Sequence, residues 1–546
     1  MARSLLLASM LPLLLSARTL DCGISAFQAI LPSTATVVSA NWQADNSTFQ
    51  VPSSNVAYAV SPTNLRALCA VEVNVTSSLT SAYGFGLFLP QEWNTRFLAV
   101  GNGGFAGGVN WLDMGAGVGY GFAVMSTDTG HSSVSTDGSW ALNEESVNDW
   151  GYRAMHGSAV LAKEIVKAYY SSPSLFNYFS GCSTGGRQGL KEVELYPEDF
   201  DGVLAGAPAW WTSHLQPWTV NVALYNLPNT TAGHIPRSLF PAIEAEVLRQ
   251  CDGADGLVDS IISSPRECNF SSGALLCGSN TVNQTRAGCL TAPQLQTLSR
   301  IYANYYGTNQ TFVLPGLELG FEAQWEVLLG GNEPAGLGTD YVRYFLLKDP
   351  DWDFNDYNDS IVDIADKLQP GNATVGLDIS AFHAKGGKLL QYHGMADALI
   401  PTGSSSLYYT EVARTLRPRG VDLDSWYRHF LVPGMQHCSG TPSGVEAPWY
   451  FAGANQAGRL GTGVSGVPGF RDPEHDALLA LMEWTEKGQA PDRIIATKWK
   501  SDALHDEVLR QRPLCPYPQS AKYGGNGDPD LAESWACEGL FVPQQQ

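Results

Sequence analysis

Residues 179–186 read Phe-Ser-Gly-Cys-Ser-Thr-Gly-Gly, and this stretch is the strongest indication of the fold. It contains the pattern G-x-S-x-G, centred on Ser183, between a predicted strand at 177–180 and a predicted helix at 187–196. A serine in this context occupies a tight strand-to-helix turn, and the flanking glycines let the strand and helix approach each other. Its Oγ is then exposed at the carboxyl end of a sheet. The context, more than the five-residue pattern, predicts a nucleophilic Ser183.

Strand-like and helix-like segments alternate on both sides of this turn. This alternation predicts an α/β fold, with a parallel sheet covered by helices on both faces. The predicted strands are 83–89, 96–100, 121–125, 177–180, 387–393 and 426–432, and the other predicted helices are 152–169 and 477–487.

The alternation fades between residues 210 and 374, where sequons cluster and cysteines pair at short range. We interpret this section as a lid inserted over one end of the sheet. The predicted α/β-hydrolase domain then comprises 19–209 and 375–546.

A serine hydroxyl needs a base, and the base needs an orienting acid. In this fold class the chain order is serine, acid, histidine, so the base is a late histidine. Among the late histidines, His437 lies in a loop just after a strand, where a catalytic imidazole belongs. Asp397 follows the strand at 387–393 and is the predicted acid, against a turn-forming carboxylate as the alternative. The other histidines considered were His393, His429, His475 and His505.

An oxyanion hole needs two backbone N–H groups directed at the reacting carbonyl oxygen. The residue after the nucleophile, Thr184, is the first predicted donor. The second belongs to a loop after an early strand, and residues 100–108, Val-Gly-Asn-Gly-Gly-Phe-Ala-Gly-Gly, fit that position with Gly104 as the donor. The loop lacks the spacing and the lysine of a phosphate-binding loop.

The N-terminus and the composition indicate a secreted protein. A charged start, an apolar run at 5–15 and small residues predict a signal peptide at 1–18. The formal net charge of −21 disfavours nucleic-acid and anionic-membrane partners, and no later stretch is long enough for a membrane helix. Eight sequons predict glycosylation, at Asn46, Asn74, Asn229, Asn269, Asn283, Asn309, Asn358 and Asn372.

The ten cysteines behind the signal peptide predict five disulfides, because no paired spacing for zinc is present. Cys182 precedes Ser183 and Cys438 follows His437, so a bond between them would join the nucleophile turn to the histidine loop. Two separate pairings remain the alternative on cysteine arithmetic alone.

Three carboxylates fall within eight residues at Asp252, Asp255 and Asp259. Hard oxygen ligands suit calcium, although the stretch lacks the twelve-residue EF-hand pattern. A solvated acidic turn is the alternative.

Together these motifs resemble the tannase and feruloyl esterase family of secreted fungal enzymes, over nearly the whole mature chain. The paired Cys-Ser and His-Cys dipeptides are its most specific mark, and the 101–104 and 183–189 segments look more like type-B feruloyl esterases than tannases. The motifs that carry the resemblance lie at 101–104, 127–131, 152–156, 181–189, 206–209, 386–390 and 434–438.

The resemblance implies an α/β-hydrolase domain with a lid, the triad Ser183, Asp397 and His437, and no organic cofactor. It implies a structural calcium in the lid, held by the three aspartates and by the carbonyls of Leu257 and Ile261. The substrates that the resemblance implies are esters of ferulate, p-coumarate or caffeate in plant cell-wall polysaccharides, or galloyl esters of tannins. The pairings that it implies are Cys182–Cys438, Cys22–Cys69, Cys251–Cys268, Cys277–Cys289 and Cys515–Cys537.

Three other functions compete with this one. A lipase, carboxylesterase or exopeptidase can use the same fold and triad. A catalytically dead hydrolase fold used for binding would be expected to lose the serine or the histidine, and this chain keeps both. A calcium-binding structural protein leaves the triad positions unexplained.

Overall fold

The computed structural model describes residues 20–278 and 288–539. The predicted signal peptide and the sequon at Asn283 lie outside these residues. In the described part, no helix is long and apolar enough to cross a bilayer. Among the asparagines of the sequons, the seven that are described are all exposed.

A nine-stranded sheet organises the molecule, in the order β1-β2-β3-β5-β4-β6-β7-β10-β11. The six strands from β5 to β11 are parallel, whereas β1, β2 and β3 join that half antiparallel. Three two-stranded sheets, β8-β9, β12-β13 and β14-β15, lie outside it. The strands are β1 Ala35–Gln43, β2 Leu68–Thr76, β3 Ala82–Pro90, β4 Arg96–Val100, β5 Ala123–Thr127, β6 Phe176–Cys182, β7 Gly202–Gly206, β8 Tyr305–Tyr306, β9 Phe312–Leu314, β10 Lys388–Gly394, β11 Tyr427–Val432, β12 Ile494–Trp499, β13 Val508–Leu514, β14 Ser520–Tyr523 and β15 Trp535–Glu538.

Helices cover both faces of the sheet. Helices α4, α5 and α13 contribute to the core on one face, and α2 and α15 to the core on the other. The helices are α1 Ile24–Gln28, α2 Trp111–Gly119, α3 Glu144–Asn148, α4 Ala154–Tyr170, α5 Thr184–Leu195, α6 Thr212–Tyr225, α7 Phe240–Cys251, α8 Ala292–Tyr302, α9 Glu326–Leu329, α10 Gly336–Asp340, α11 Ser360–Leu368, α12 Ser380–Ala384, α13 Thr402–Leu416, α14 Ala457–Leu460 and α15 Ala477–Lys487.

Strand β4 shows why this sequence builds a sheet that is buried on both sides. Phe97 and Ala99 belong to one core, while Leu98 and Val100 belong to the other. Successive side chains of a strand point to opposite faces, so a continuous apolar run buries both. The predicted α/β-hydrolase fold is confirmed.

The section predicted to be a lid lies between β7 and β10, which are neighbours in the sheet. It forms helices and the short β8–β9 hairpin around an apolar core that contains Trp218, Val247 and Leu298. An insertion between two adjacent strands leaves the sheet intact. The exact boundaries at 209/210 and 374/375 stay a prediction.

One helix begins earlier than predicted. Helix α5 starts at Thr184, directly after the serine, and not at residue 187. Gly185 and Gly186 lower the helix propensity of the first turn and conceal its start. Both are needed there because neighbouring backbone approaches too closely for a side chain.

Candidate active site

Ser183 is the single residue between β6 and α5, and its backbone is strained. Its φ of 65° and ψ of −124° are rare for a residue with a side chain. The turn is held from outside: the Ser183 N–H donates to the Gly206 carbonyl at 2.9 Å, and its own carbonyl accepts from the Ala209 N–H at 3.1 Å. The surrounding backbone therefore imposes the conformation that a serine at a strand-to-helix turn requires.

Close packing of glycines makes this turn possible. A Cβ on Gly181 would lie 2.6 Å from the carbonyl carbon of Gly185, which no real structure tolerates. The strand and the helix can meet this tightly only with glycine at both positions. The context predicted from G-x-S-x-G is thus present.

Asp397 and His437 meet as predicted. Asp397 lies three residues after β10, His437 lies in the loop after β11, and the His437 Nδ1 is 2.6 Å from Asp397 Oδ2. The carboxylate is fully buried, whereas 19% of the His437 side chain is exposed. Nδ1 is held by the acid, which leaves Nε2 as the ring nitrogen available to another partner.

The electrostatics keep Asp397 ionised. Burial alone would raise the pKa of this carboxyl, but the His437 charge and the hydrogen bonds from His393 and His437 lower the pKa well below its ordinary value. The N–H groups of Leu399 and Ile400 donate to the other oxygen, Oδ1, at 2.8 and 3.0 Å. An ionised acid can orient the imidazole and stabilise its protonated form.

The Cys182–Cys438 disulfide joins the nucleophile turn to the histidine loop, with 5.9 Å between the two Cα atoms. The residues beside it, Ser183 and His437, are thereby held on adjacent turns. Among the described residues, however, no hydrogen bond reaches Ser183 Oγ. Catalytic hydrogen bonds of this kind are often long without a substrate and tighten when one binds.

The remaining four disulfides are those that the resemblance implied. They are Cys22–Cys69, Cys251–Cys268, Cys277–Cys289 and Cys515–Cys537.

The loop between β4 and α2 lies against the start of α5. A Cβ on Gly101 would be 2.6 Å from the Gly185 Cα, so the loop backbone touches the helix that follows the serine. From Gly101 to Gly108, every backbone N–H donates a hydrogen bond within the described structure except that of Gly104. Within residues 101–108 the Gly104 N–H is thus free to bind a ligand, and Gly104 is the residue predicted for the oxyanion hole; this role stays a prediction.

Gln188 holds this loop in place, and the sequence interpretation missed it. Its Oε1 accepts the Asn102 N–H at 2.9 Å, and its Nε2 donates to Asn102 Oδ1 at 3.1 Å. Asn102 Nδ2 in turn donates to the carbonyls of Gly108 and Thr127. A buried polar residue one turn beyond the nucleophile was the available signal, since such a residue requires a specific partner.

Arg187, the neighbouring buried cation, was also missed. It donates to the carbonyls of Gly151 and Trp150, and its guanidinium lies 4.2 Å from the centre of the Trp150 ring. Burial lowers its pKa to about 9. It ties α5 to the segment that precedes α4.

The donors of the acidic loop that is predicted to bind calcium are only partly arranged for an ion. The Asp252 carboxylate accepts the N–H groups of Asp259 and Ser260, and Asp255 Oδ1 accepts that of Leu257. The other Asp255 oxygen is buried without a hydrogen-bond partner, and burial raises the pKa of this carboxyl. A hard cation would satisfy that oxygen.

Two further observations bear on the ion. Arg512 forms a short ion pair with Asp259. In the described part of the chain, the one group of three or more ligand side chains whose atoms converge within 4.8 Å is His156, Glu192 and Asp199, away from this loop. The Arg512 guanidinium thus occupies one of the two Asp259 oxygens that could bind the ion.

Fold and site together define an α/β-hydrolase with a strained serine, a histidine and a buried acid at three strand ends. The family model for tannase and feruloyl esterase matches residues 69–321 and 340–538. The chain belongs to this family and is a serine-type carboxylic ester hydrolase.

Individual relatives support the same family assignment. A probable feruloyl esterase B-1 from Aspergillus oryzae is 35% identical over 476 residues, which cover 87% of this chain and 84% of the relative. The crystal structure of feruloyl esterase B from Aspergillus oryzae is 33% identical with a TM-score of 0.85, and the match covers 94% of this chain and 99% of that one. Tannin acyl hydrolase from Aspergillus niger shares the fold, with a TM-score of 0.73 at 22% identity over 95% of this chain and 96% of that one.

Proposed function

We propose that the protein hydrolyses esters of hydroxycinnamic acids, such as ferulate, p-coumarate and caffeate esters of plant cell-wall polysaccharides. The observation that carries this proposal is the likeness to feruloyl esterase B, which extends over almost the whole chain and includes the lid. The tannin acyl hydrolase is less similar in both sequence and structure. Hydrolysis of galloyl esters is therefore the second candidate.

In the proposed mechanism, Ser183 Oγ attacks the ester carbonyl carbon while His437 Nε2 accepts its proton. The negative charge that develops on the carbonyl oxygen is stabilised by the N–H groups of Thr184 and Gly104. The protonated His437 then donates to the leaving alcohol, and Asp397 stabilises the imidazolium throughout. Water, activated by His437, releases the acid from the acyl-enzyme and regenerates the serine hydroxyl.

The test is hydrolysis of methyl ferulate, methyl p-coumarate, methyl caffeate and methyl gallate by the purified protein. We expect the three hydroxycinnamates to be hydrolysed with higher kcat/KM than the gallate. A preference for methyl gallate would replace the proposal by tannase activity. Hydrolysis of none of the four, with turnover of simple alkyl esters, would indicate a general carboxylesterase.

Ser183→Ala is the control for the mechanism. We expect kcat to fall by several orders of magnitude, on the order of 10⁴-fold or more, with an unchanged melting temperature. Turnover that survives in this variant would contradict the assignment of the nucleophile, whatever the substrate preference.

Calcium binding and secretion complete the proposal. Asp252, Asp255 and Asp259, with the carbonyls of Leu257 and Ile261, would hold a structural calcium that neutralises the carboxylates of the lid loop. The buried, partnerless Asp255 oxygen supports this site. Five disulfides and exposed sequons support a secreted glycoprotein.

A further inference from the structure

Two histidines share one oxygen of the catalytic acid. His437 Nδ1 lies 2.6 Å from Asp397 Oδ2, and His393 Nε2 lies 3.0 Å from the same atom. The first histidine is partly exposed, whereas the second is completely buried. Nothing in the Ser-Asp-His triad requires the second imidazole, which therefore needs its own explanation.

The neighbours of His393 determine which of its two ring nitrogens carries the hydrogen. Its Nε2 faces two acceptors, the Asp397 carboxylate and the Ile400 carbonyl at 3.1 Å. Its Nδ1 lies 2.7 Å from the hydroxyl of Ser405, which can donate. A neutral ring with the hydrogen on Nε2 satisfies all of these partners at once, so the ring presents an N–H to the acid.

His393 is also more rigidly placed than His437. It lies on β10, a strand paired on both sides, with β7 and β11, while His437 lies in a loop. The acid itself is in the turn after β10. The hydrogen bond from His393, on the strand, to Asp397 Oδ2 therefore fixes the carboxylate relative to the sheet. Without it, this oxygen would be held only by His437, the residue that the carboxylate must orient.

We propose that His393 is a positioning residue that holds Asp397 Oδ2 toward His437 and shares the negative charge of that oxygen. This inference rests on the proposed Ser183 mechanism. The titratable groups that act on Asp397 in the described structure are His437, on the loop after β11, and His393, on β10.

Charge sharing has a consequence that a purely structural role lacks. The N–H of the neutral His393 ring points the positive end of its dipole at Oδ2, which weakens the attraction of that oxygen for a protonated His437. Removing this N–H exposes His437 to the full carboxylate charge and favours its protonated form. The rate, which requires neutral His437, should then begin to fall at a higher pH on the acid side.

Two amide substitutions separate the contacts of the ring. In His393→Gln the amide nitrogen can reach the position of Nε2 and donate to Asp397. In His393→Asn the shorter side chain places its amide at the position of Nδ1, where it meets Ser405 and leaves Oδ2 without its partner. The two variants introduce the same polar group at the same site and differ in reach.

The measurement is the rate at which a fluorophosphonate labels Ser183, recorded from pH 4 to pH 9, with mass spectrometry of the labelled peptide. This reagent reports on the serine and its base without any assumption about the natural ester. We expect His393→Asn to label about 10-fold more slowly and its acid limb to lie at higher pH than that of the wild type. His393→Gln should stay within about threefold of wild type, with its acid limb unmoved.

Equal acid limbs in wild type and His393→Asn would overturn the inference, even if both variants melt at lower temperature. If His393→Asn does not fold, His393→Leu replaces it, since its apolar side chain occupies much of the same space and offers Oδ2 no N–H. It should shift the acid limb in the same direction, and an unmoved limb there would again refute the role. Wild-type protein that the reagent does not label at Ser183 would instead refute the proposed mechanism.

Discussion

Gly185→Ala tests the contact between the start of α5 and the proposed oxyanion loop. A Cβ at this position would lie 2.9 Å from the Asn102 carbonyl oxygen and 3.3 Å from both the Asn102 nitrogen and the Gly101 Cα. All three atoms belong to the loop backbone, which cannot rotate away as a side chain can. Ordinary contact distances begin at 3.4 Å, so the loop must retreat by about half an ångström.

That retreat moves the Gly104 N–H away from the carbonyl oxygen that it is proposed to bind. Loss of one oxyanion donor costs about 10²–10³-fold in kcat, and displacements of about 1 Å cost about 10²-fold. We therefore expect kcat to fall by about 10-fold for a shift of half that size. KM should change little, because the donor acts on charge that is present only in the transition state.

Gly189→Ala is the matched control, one helical turn further along α5. Its Cβ would lie 2.8 Å from the Phe179 ring and 3.0 Å from Val203 Cγ1, which are side chains remote from the loop. Both substitutions overpack the helix, so each should cost about 1–3 kcal/mol of folding free energy. Steady-state kinetics and thermal melting of the two variants decide the matter. Equal losses of kcat, or a Gly185→Ala enzyme within threefold of wild type, would refute the reasoning.

Three further predictions concern stability. Replacing Cys182 and Cys438 by alanine opens a loop of 256 residues, and the entropy that the unfolded chain regains is worth about 5–6 kcal/mol. The melting temperature and kcat should both fall. An unchanged kcat below the melting transition would contradict a positioning role for the disulfide. Chelation should lower the melting temperature of the wild type but not of Asp255→Ala, and equal responses in calorimetry would exclude calcium at that loop. Burial raises the pKa of Glu322 from 4.5 to about 7, so between these pH values the folded state keeps a proton that the unfolded chain loses. The free energy of unfolding should therefore fall by up to about 3 kcal/mol as pH rises from 4.5 to 7. Glu322→Gln should flatten that dependence, whereas parallel curves of melting temperature against pH would refute it.

The part of the site that could be predicted from the sequence is the part with a local signal. The serine is marked by its glycines, and the acid and histidine by the strands before them. Strand 387–393 agrees with Lys388–Gly394 to within one residue. The disulfide partners, by contrast, were available only through resemblance, because cysteine order does not encode pairing.

The contacts that could not be predicted join residues that are far apart in the sequence. The ion pair of Asp259 with Arg512 joins positions 253 residues apart, and no local pattern marks Arg512 as a buried cation. The same holds for Gln188 and His393, which are buried polar side chains whose partners become visible only in the fold. Such residues interrupt apolar patterns, and that interruption was the only signal in the sequence.

The section between β7 and β10, predicted to be a lid, contacts the histidine loop. Gln436, the residue before His437, forms a short hydrogen bond with Gln324 of the lid. Ile261, at the end of the proposed calcium loop, packs in one cluster with Ala396, the residue before Asp397. The other members are Phe321, Val445 and Ala447. Because both contacts adjoin triad residues, a disordered lid loop would leave the acid and the histidine without support on that side. Loss of the ion should therefore reduce kcat before it unfolds the sheet, since the sheet has cores on both faces that do not include this cluster.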